Sequence, residues 1–277
     1  MKTFIQLLLS LVLLTALQGV RAGDAGLPGT LRVGTSAGYP PLTFKQDGQL
    51  QGMEIDLAKA VGKQLDIPVQ FVELPFNDLI PALSDGKIDV IMSGMSITDE
   101  RTRQVLFTRP YMQIGQMGLI RVDDLTVWSR PDTLYDKHKI IGVKQGTTGD
   151  RFVSEEIPDG DIRRFDSIDE GVAALRTKKI DIFIHDAPTI WRLSAQYDTW
   201  DSGIMGLFRP LTDENLAWAV RPGNTPLADA LNTALDTMKK DGSLKTIRTH
   251  WIPVQVTVGN PPDPGGSIRQ ERPTIGY

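Results

Sequence analysis

The sequence predicts an α/β fold made of two similar units. Segments with strand character alternate with segments of helical periodicity, which favours parallel sheets joined by right-handed crossovers. One eight-residue pattern occurs twice, at 82–89 and 174–181, and five of its eight positions are identical. Each copy has the form of a helix end, a short turn and the start of a buried strand. Chance similarity between two helix–strand joins is the alternative, but we expect one copy in each of two matched units.

The first unit is predicted from three kinds of pattern. Ile55, Ala58, Val61 and Leu65 fall on one face of a helix, because they recur at helical spacing. Continuous apolar runs predict buried parallel strands, and Thr98 followed by two acidic residues predicts a helix N-terminus. In chain order, the expected elements are a strand at 31–35, a helix at 55–65, a strand at 69–74, a helix from Asn77 to Leu83, a strand at 88–92 and a helix capped by Thr98.

The second unit repeats this plan, and the chain is expected to cross between the units twice. The crossings are predicted at 115–122 and 211–220, where apolar strand-like segments leave one unit and return from the other. The first unit would then comprise 27–119 plus 216–252, and the second 120–215. The other expected elements are a strand at 140–143, a helix starting near Gly149, a helix at 168–175, a strand at 180–184, a helix capped by Asp186, a strand at 216–220 and a helix at 227–238.

Both ends of the chain have a composition unlike the rest. Residues 1–22 combine Lys2, an apolar run and a small-residue cleavage site, which predicts a secretory signal peptide; an uncleaved anchor is the alternative. Residues 253–277 are rich in Pro and Gly and lack periodicity, so we expect a poorly ordered C-terminal extension. The chain has no cysteine, which excludes both disulfides and an acylated lipoprotein.

Charge and histidine placement limit the classes of partner. Without Lys2 and Arg21 of the signal, the 30 basic residues fall to 28, against 34 acidic ones. This acidic balance disfavours nucleic acid as a partner. The three histidines, at 138, 185 and 250, are too scattered to indicate a metal site, and no cofactor motif is present. We expect a monomer.

Polar residues follow the predicted strands of both copies of the repeat. Ser93, Gly94 and Ser96 follow the first, with Arg101 soon after, and His185 and Asp186 end the second. In open α/β sheets, ligands bind at the carboxyl ends of strands. The two copies therefore predict a ligand cleft with groups contributed from both units.

Several motifs, in order and at consistent spacing, resemble the polar-amino-acid solute-binding proteins of ABC importers. The resemblance covers roughly 30–252 and implies two Rossmann-like lobes joined by two hinge strands, with the ligand in the cleft between them. It implies a periplasmic protein that delivers an amino acid to a membrane permease. The motifs are Leu31-Arg32-Val33-Gly34-Thr35, Tyr39-Pro40-Pro41, Gly52-Met53-Glu54-Ile55-Asp56, Leu79-Ile80-Pro81-Ala82-Leu83, Gly94-Met95-Ser96-Ile97-Thr98-Asp99-Glu100-Arg101, Gly146-Thr147-Thr148, and Asp241-Gly242-Ser243-Leu244 with Trp251.

The resemblance also implies roles for individual residues. Arg101 would grip the ligand α-carboxylate, and Asp186 would take its α-ammonium. The implied donors around this head group are Gly94, Ser96 and Thr148, and the implied aromatic walls are Tyr39 and Phe76. We expect side-chain specificity to be set by Ser36, Tyr39, Phe76, Lys144 and His185.

Two of these positions bear on the ligand's side chain. The segment Lys144-Gln145-Gly146-Thr147 and the pair His185-Asp186 are most similar to the glutamine-binding branch of the family. Ser36, however, stands where branches that bind basic side chains or glutamine often carry an acid. This departure makes a basic ligand less expected and weakens the glutamine assignment.

Each residue also has a purely structural interpretation. Arg101 beside Arg103 fits a solvated helix surface, and Asp186 before Ala-Pro fits a helix cap. Tyr39 and Phe76 fit core packing, His185 fits a packed histidine, and Lys144 fits an exposed strand end.

Two other functions are compatible with the same motifs. A periplasmic cyclohexadienyl or arogenate dehydratase resembles this family, and its general acid would be Asp150 or Glu155. A sensory or adaptor module that binds a solute without transporting it is the other. We expect a binding protein rather than an enzyme.

Overall fold

The computed structural model describes residues 26–195, 203–207 and 209–252. The predicted signal peptide and C-terminal extension lie outside these residues. Within the described ranges, no helix combines the length and apolar character needed to cross a membrane.

Strands and helices alternate through most of the described chain, as predicted. The strands are β1 (Leu31–Thr35), β2 (Gly38–Tyr39), β3 (Thr43–Gln46), β4 (Gln49–Gln51), β5 (Val69–Glu73), β6 (Val90–Ile91), β7 (Leu106–Phe107), β8 (Met112–Ile114), β9 (Gln116–Arg121), β10 (Ile140–Lys144), β11 (Asp161–Phe165), β12 (Ile182–Asp186), β13 (Ile204–Gly206), β14 (Glu214–Leu216) and β15 (Ala219–Val220). The α-helices are α1 (Met53–Leu65), α2 (Leu79–Ser84), α3 (Asp99–Thr102), α4 (Leu125–Trp128), α5 (Thr148–Glu156), α6 (Ile168–Arg176), α7 (Ala187–Ala195), α8 (Thr225–Lys240) and α9 (Ser243–Trp251). Short 3-10 helices lie at Phe76–Asp78, Val122–Asp124 and Pro131–Tyr135.

Two five-stranded mixed sheets form the framework. The first has the strand order β5-β1-β6-β15-β7, and the second has the order β11-β10-β12-β9-β13. In each sheet the first three strands are parallel, and the remaining pairings are antiparallel. The parallel strands β6 and β12 are buried along their length, as expected for strands covered by helices on both faces.

A two-stranded sheet joins the two frameworks. β8 leads from the first sheet to the second, β14 leads back, and the two strands pair antiparallel. The chain therefore crosses twice, close to the predicted segments. The predicted strand at 216–220 is interrupted, because Leu216 pairs in this hinge whereas Ala219 and Val220 pair in the first sheet.

The predicted lobe boundaries, 27–119 plus 216–252 and 120–215, stay predictions. The strand β9 pairs with β12 and β13 from Gln116 to Arg121. This pairing would move the first boundary to before Gln116. The helix that Asn77 was expected to cap begins at Leu79, after a 3-10 turn that contains Asn77.

The two copies of the repeat make the same contacts in the two sheets. Asp89 accepts the backbone N–H of Arg32 at 2.9 Å, and Asp181 accepts that of Ile140 at 2.9 Å. Each aspartate thus fixes the start of its strand to the first central strand of its sheet. Lys87 and Lys179 close the preceding turns with equal backbone bonds of 2.9 Å, to Ala82 and Ala174 respectively.

A glycine in each central strand meets the isoleucine of the repeat. A Cβ at Gly34 would lie 2.2 Å from Cδ1 of Ile88, and one at Gly142 would lie 2.4 Å from Cδ1 of Ile180. Two carbon atoms cannot pack this closely. Only glycine at these two positions therefore leaves room for the isoleucine side chains. The repeat therefore reflects two matched units rather than chance.

Candidate functional site

The carboxyl ends of strands from both sheets meet around one small cavity. Ser36 follows β1, Lys144 ends β10, Asp186 ends β12, and Thr148 begins α5. All ten residues predicted for the ligand site line this cavity, together with Thr147. The ten are Ser36, Tyr39, Phe76, Gly94, Ser96, Arg101, Lys144, Thr148, His185 and Asp186.

Asp186 is a buried carboxylate held by two side chains. The Tyr39 hydroxyl donates to Oδ2, and the Gln116 amide donates to Oδ1 at 2.5 Å. Burial, followed by the charge of Glu214, raises the pKa of Asp186 to about 6. The hydrogen bonds from Tyr39 and Gln116 and the charge of Arg101 act in the opposite direction. Asp186 is therefore an anion at neutral pH and close to its point of protonation.

Arg101 supplies a cation to the lining of the same cavity. Its backbone N–H donates to Oγ1 of Thr98, the predicted helix cap, at 3.2 Å. Its guanidinium donates to the carbonyls of Ser96 at 3.0 Å and Gly146 at 3.4 Å, and lies 5.4 Å from the Phe76 ring centroid. Burial lowers the pKa of Arg101 from its usual value, but a guanidinium stays charged at neutral pH.

The hydroxyls near the two charges differ in what they can still donate. Ser96 donates to Glu214 at 2.7 Å, so its oxygen is left as an acceptor. Thr148 accepts from Gln116 at 3.0 Å, which leaves its own proton for a ligand. The N–H of Gly94 donates to the buried carboxyl of Glu54 at 2.7 Å. Its predicted role as a head-group donor is therefore not supported by this geometry.

Gly94 shapes the cavity by its lack of a side chain. Its φ is 67°, and a Cβ there would lie 2.5 Å from Cε1 of Tyr39. The Tyr39 ring can lie against this backbone only because the position is glycine. Gly94 thus helps to place the Tyr39 hydroxyl on Asp186.

His185 is a packed, neutral histidine that also reaches the cavity wall. Its Nδ1 accepts the backbone N–H of Asp186 at 2.7 Å, and its ring stacks on Phe183 with centroids 6.1 Å apart. Its edge contact with Tyr39 has a centroid distance of 5.3 Å. Burial, with a smaller effect of the Lys144 charge, lowers the pKa of His185 to about 3.

Ser36 and Lys144 lie at the end of the cavity near Gly38. The backbone N–H of Ser36 donates to Oγ of Ser93 at 2.9 Å, and Ser36 is buried. The Lys144 ammonium donates to the carbonyl of Gly38 at 3.5 Å. Burial lowers the pKa of Lys144, although the charge of Asp186 opposes this effect.

Comparison with known proteins places this chain in a family. The sequence profile of the family described as bacterial extracellular solute-binding proteins, family 3, matches residues 31–254. The chain belongs to this family.

Three relatives illustrate the match. The L-arginine-binding protein of Pseudomonas aeruginosa is 32% identical over 83% of this chain and 90% of its own length. The ABC transporter arginine-binding protein 1 of Escherichia coli strain K12 is 31% identical over 80% of this chain and 90% of its own. A solved ancestral amino acid-binding protein, a precursor of cyclohexadienyl dehydratase, superposes with a TM-score of 0.74 at 36% identity, covering 81% of this chain and 96% of its own. These matches confirm the predicted two-lobed fold and family.

Sequence reasoning missed two polar residues that hydrogen-bond to the lining of this cavity, Gln116 and Glu214. The Gln116 amide bonds both Asp186 and Oε1 of Glu214, the latter at 2.9 Å, and Glu214 accepts from Ser96 at 2.7 Å. Gln116 begins β9, immediately after one hinge strand, and Glu214 begins the other hinge strand, β14. Both fall in the predicted crossings, but nothing in those apolar patterns signals that their polar residues support a ligand site.

The two acids offered for a dehydratase do not line the cavity. Asp150 receives hydrogen bonds from Nε of Arg164 at 2.8 Å and from the backbone N–H of Gly146 at 3.1 Å. Glu155 is exposed and lies 3.6 Å from Arg151. Neither carboxyl lines the small cavity, but Asp150 lines a larger adjoining cavity that shares Phe76, Arg101, Thr147 and Thr148 with it.

Proposed function

We propose that this protein binds a free amino acid by its charged head group, as the periplasmic component of an ABC importer. The main observation is that Arg101 and Asp186, a cation and an anion, line one small cavity. An amino acid at neutral pH carries both charges. Burying it requires a partner for each, because an unpaired buried charge is very costly.

We assign the two ends of the ligand to these two charges. The planar fork of Arg101 suits a carboxylate through two parallel bonds, and the Thr148 hydroxyl retains a proton to add a third. The carboxylate of Asp186, oriented by Tyr39 and Gln116, suits an ammonium.

Closure of the cleft is supported by hydrogen bonds between the lobes. Arg101 reaches Gly146, Lys144 reaches Gly38, and Thr189 donates to the carbonyl of Pro40 at 2.9 Å. The paired strands β8 and β14 form the hinge about which the lobes would move. Ligand that contacts both lobes favours the closed form, because it binds that form more tightly.

The remaining parts of the proposal follow from this mode of binding. The partner is a membrane permease that receives the closed protein, and secretion to the periplasm uses the signal at 1–22. In this proposal the protein acts as a monomer and as a binding protein without a catalytic role.

Calorimetric titration and thermal unfolding with the twenty amino acids and prephenate test this proposal. At a thousandfold excess over Kd, the true ligand should add about 4 kcal/mol to the free energy of unfolding. If no amino acid binds, the proposal is wrong. If prephenate or arogenate is converted to product, measured by absorbance, the protein is a dehydratase.

Amino-acid affinity should fall in mildly acidic solution. Asp186, whose pKa is about 6, must be ionised to hold the ammonium. Below pH 6, Kd should therefore rise about tenfold per pH unit. Titrations at pH 7.5, 6.0 and 5.0 measure this change, and Asp186→Asn should show weak binding with little pH dependence. Constant affinity over this range would contradict the assignment.

Stability of the ligand-free protein should change in the opposite direction with pH. The pKa of Asp186 is higher in the folded protein than its usual value of 3.8, so the folded state binds the proton more readily. The contribution of Asp186 to stability therefore becomes more favourable as pH falls from above 6 towards 4. The difference between wild type and Asp186→Asn in urea unfolding isolates this contribution.

A further inference from the structure

The charges that line the cavity exceed the needs of an amino-acid head group. Among the lining residues that the structure describes, Arg101 and Lys144 are cations, and Asp186 is the one carboxylate. The carboxyl of Glu214 is not part of the lining, and it accepts hydrogen bonds from Ser96, Gln116 and Thr212. His185 is neutral, because burial keeps its pKa at about 3. If Arg101 takes the α-carboxylate and Asp186 the α-ammonium, the charge of Lys144 remains without a partner.

Lys144 is held at the cavity but is not neutralised there. It is half-buried at the end of β10, and its ammonium donates to the carbonyl of Gly38 at 3.5 Å. Within the described part of the chain, no carboxylate lies within ion-pair distance of Lys144. The charge of Asp186 acts on it from beyond ion-pair distance.

The surroundings of Lys144 offer no other anion. Ser36, which lines the same cavity, is uncharged, and its backbone N–H bonds to Ser93. A desolvated ammonium gains most from an opposite charge that enters with the ligand. A second cation brought into this space would be repelled by Lys144 as well as left unpaired.

We propose that the ligand is an amino acid whose side chain ends in a carboxylate, of the aspartate and glutamate class, and that Lys144 recognises this group. This inference rests on the proposed function, since it requires Arg101 and Asp186 to hold the head group. It separates this chain from the arginine-binding relatives, because the cavity carries a cation where a basic side chain would need an anion.

Calorimetric titration with L-glutamate, L-aspartate, L-glutamine and L-arginine tests the proposal on the mature protein. We expect one acidic amino acid to bind at least tenfold more tightly than glutamine and arginine. If glutamine or arginine binds more tightly than both acids, the inference is overturned while the proposed function stands. If none of the twenty amino acids binds, the proposed function itself has failed.

Substitution of Lys144 tests its role directly. Lys144→Met should weaken binding of the acidic ligand at least thirtyfold and change glutamine affinity less than threefold, so that the preference narrows or reverses. Lys179→Met, the same change at an exposed lysine of the same lobe, should leave both affinities unchanged. Thermal unfolding verifies folding, and Lys144→Gln replaces Lys144→Met if the latter unfolds. If Lys144→Met leaves the ratio of the affinities for the acidic amino acid and for glutamine unchanged, Lys144 does not recognise the ligand side chain.

Discussion

Arg101→Ala should reduce amino-acid affinity at least about thirtyfold while the protein stays folded. The substitution removes the cation that faces the ligand carboxylate and leaves that carboxylate buried without a partner. Truncating one member of a buried charge pair typically costs about 2–5 kcal/mol, which corresponds to a change in Kd of about thirtyfold to several thousandfold. Calorimetric titration gives the affinity, and circular dichroism with thermal unfolding gives the folded state.

Two further variants make this result specific. Arg103→Ala removes an exposed arginine two residues away, whose side chain contacts the carbonyl of Asp99 at 3.1 Å, and should leave affinity unchanged. Arg101→Lys keeps the charge but loses the planar fork, so its affinity should fall between wild type and Arg101→Ala. Retention of affinity within tenfold in Arg101→Ala would exclude the assigned role.

Glu54→Ala should lower the free energy of unfolding by about 3 kcal/mol or more. Glu54 is fully buried in the first turn of α1, and its carboxyl accepts three hydrogen bonds. The donors are Tyr111 at 2.5 Å, the Gly94 backbone at 2.7 Å and the Trp218 indole at 3.1 Å. Each buried donor left without an acceptor costs about 1–3 kcal/mol, and alanine removes the acceptor for all three.

Urea unfolding of matched variants measures this loss. Glu54→Gln keeps the volume and one acceptor oxygen, so it should be less destabilising than Glu54→Ala. Glu155→Ala, at an exposed ion pair with Arg151, should change stability by less than about 1 kcal/mol. A loss below 1 kcal/mol in Glu54→Ala would mean that its three donors find other acceptors.

Much of the fold follows from local patterns in the sequence. Thr98 caps α3 as its neighbours predict, and the helical spacing of Ile55 and Leu65 matches α1. The strand ends after β6 and β12 deliver their polar residues to one cavity, as the rule for parallel sheets requires. These features depend on residues that are close in sequence or on a general property of the fold class.

The buried polar network could not be predicted in the same way. Glu54 bonds Tyr111 and Trp218 across sequence separations of 57 and 164 residues, and Gln116 bonds Glu214 across 98. An acid in the first turn of a helix and a glutamine beside a hinge strand are both ordinary surface residues by composition. Only the packing of distant segments decides that these side chains are buried and bonded.

The strand pairing at the hinge could not be predicted from the sequence either. The apolar run at 216–220 has the composition of one strand, yet its residues pair with different sheets. Strand propensity describes how well a segment fits a pleated surface and carries no information about which neighbour it meets. The break between Leu216 and Ala219 is therefore a property of the two-lobed assembly.

The repeated aspartates Asp89 and Asp181 are the same in both lobes, whereas the residues at the equivalent strand ends differ. In both lobes the aspartate carboxyl accepts a 2.9 Å hydrogen bond from a backbone N–H of the neighbouring strand. A few residues further on, the equivalent strand ends carry Ser93 and Gly94 in one lobe and His185 and Asp186 in the other. The residues at the cleft can therefore differ between the lobes without disturbing the hydrogen bonds that hold the strands in place.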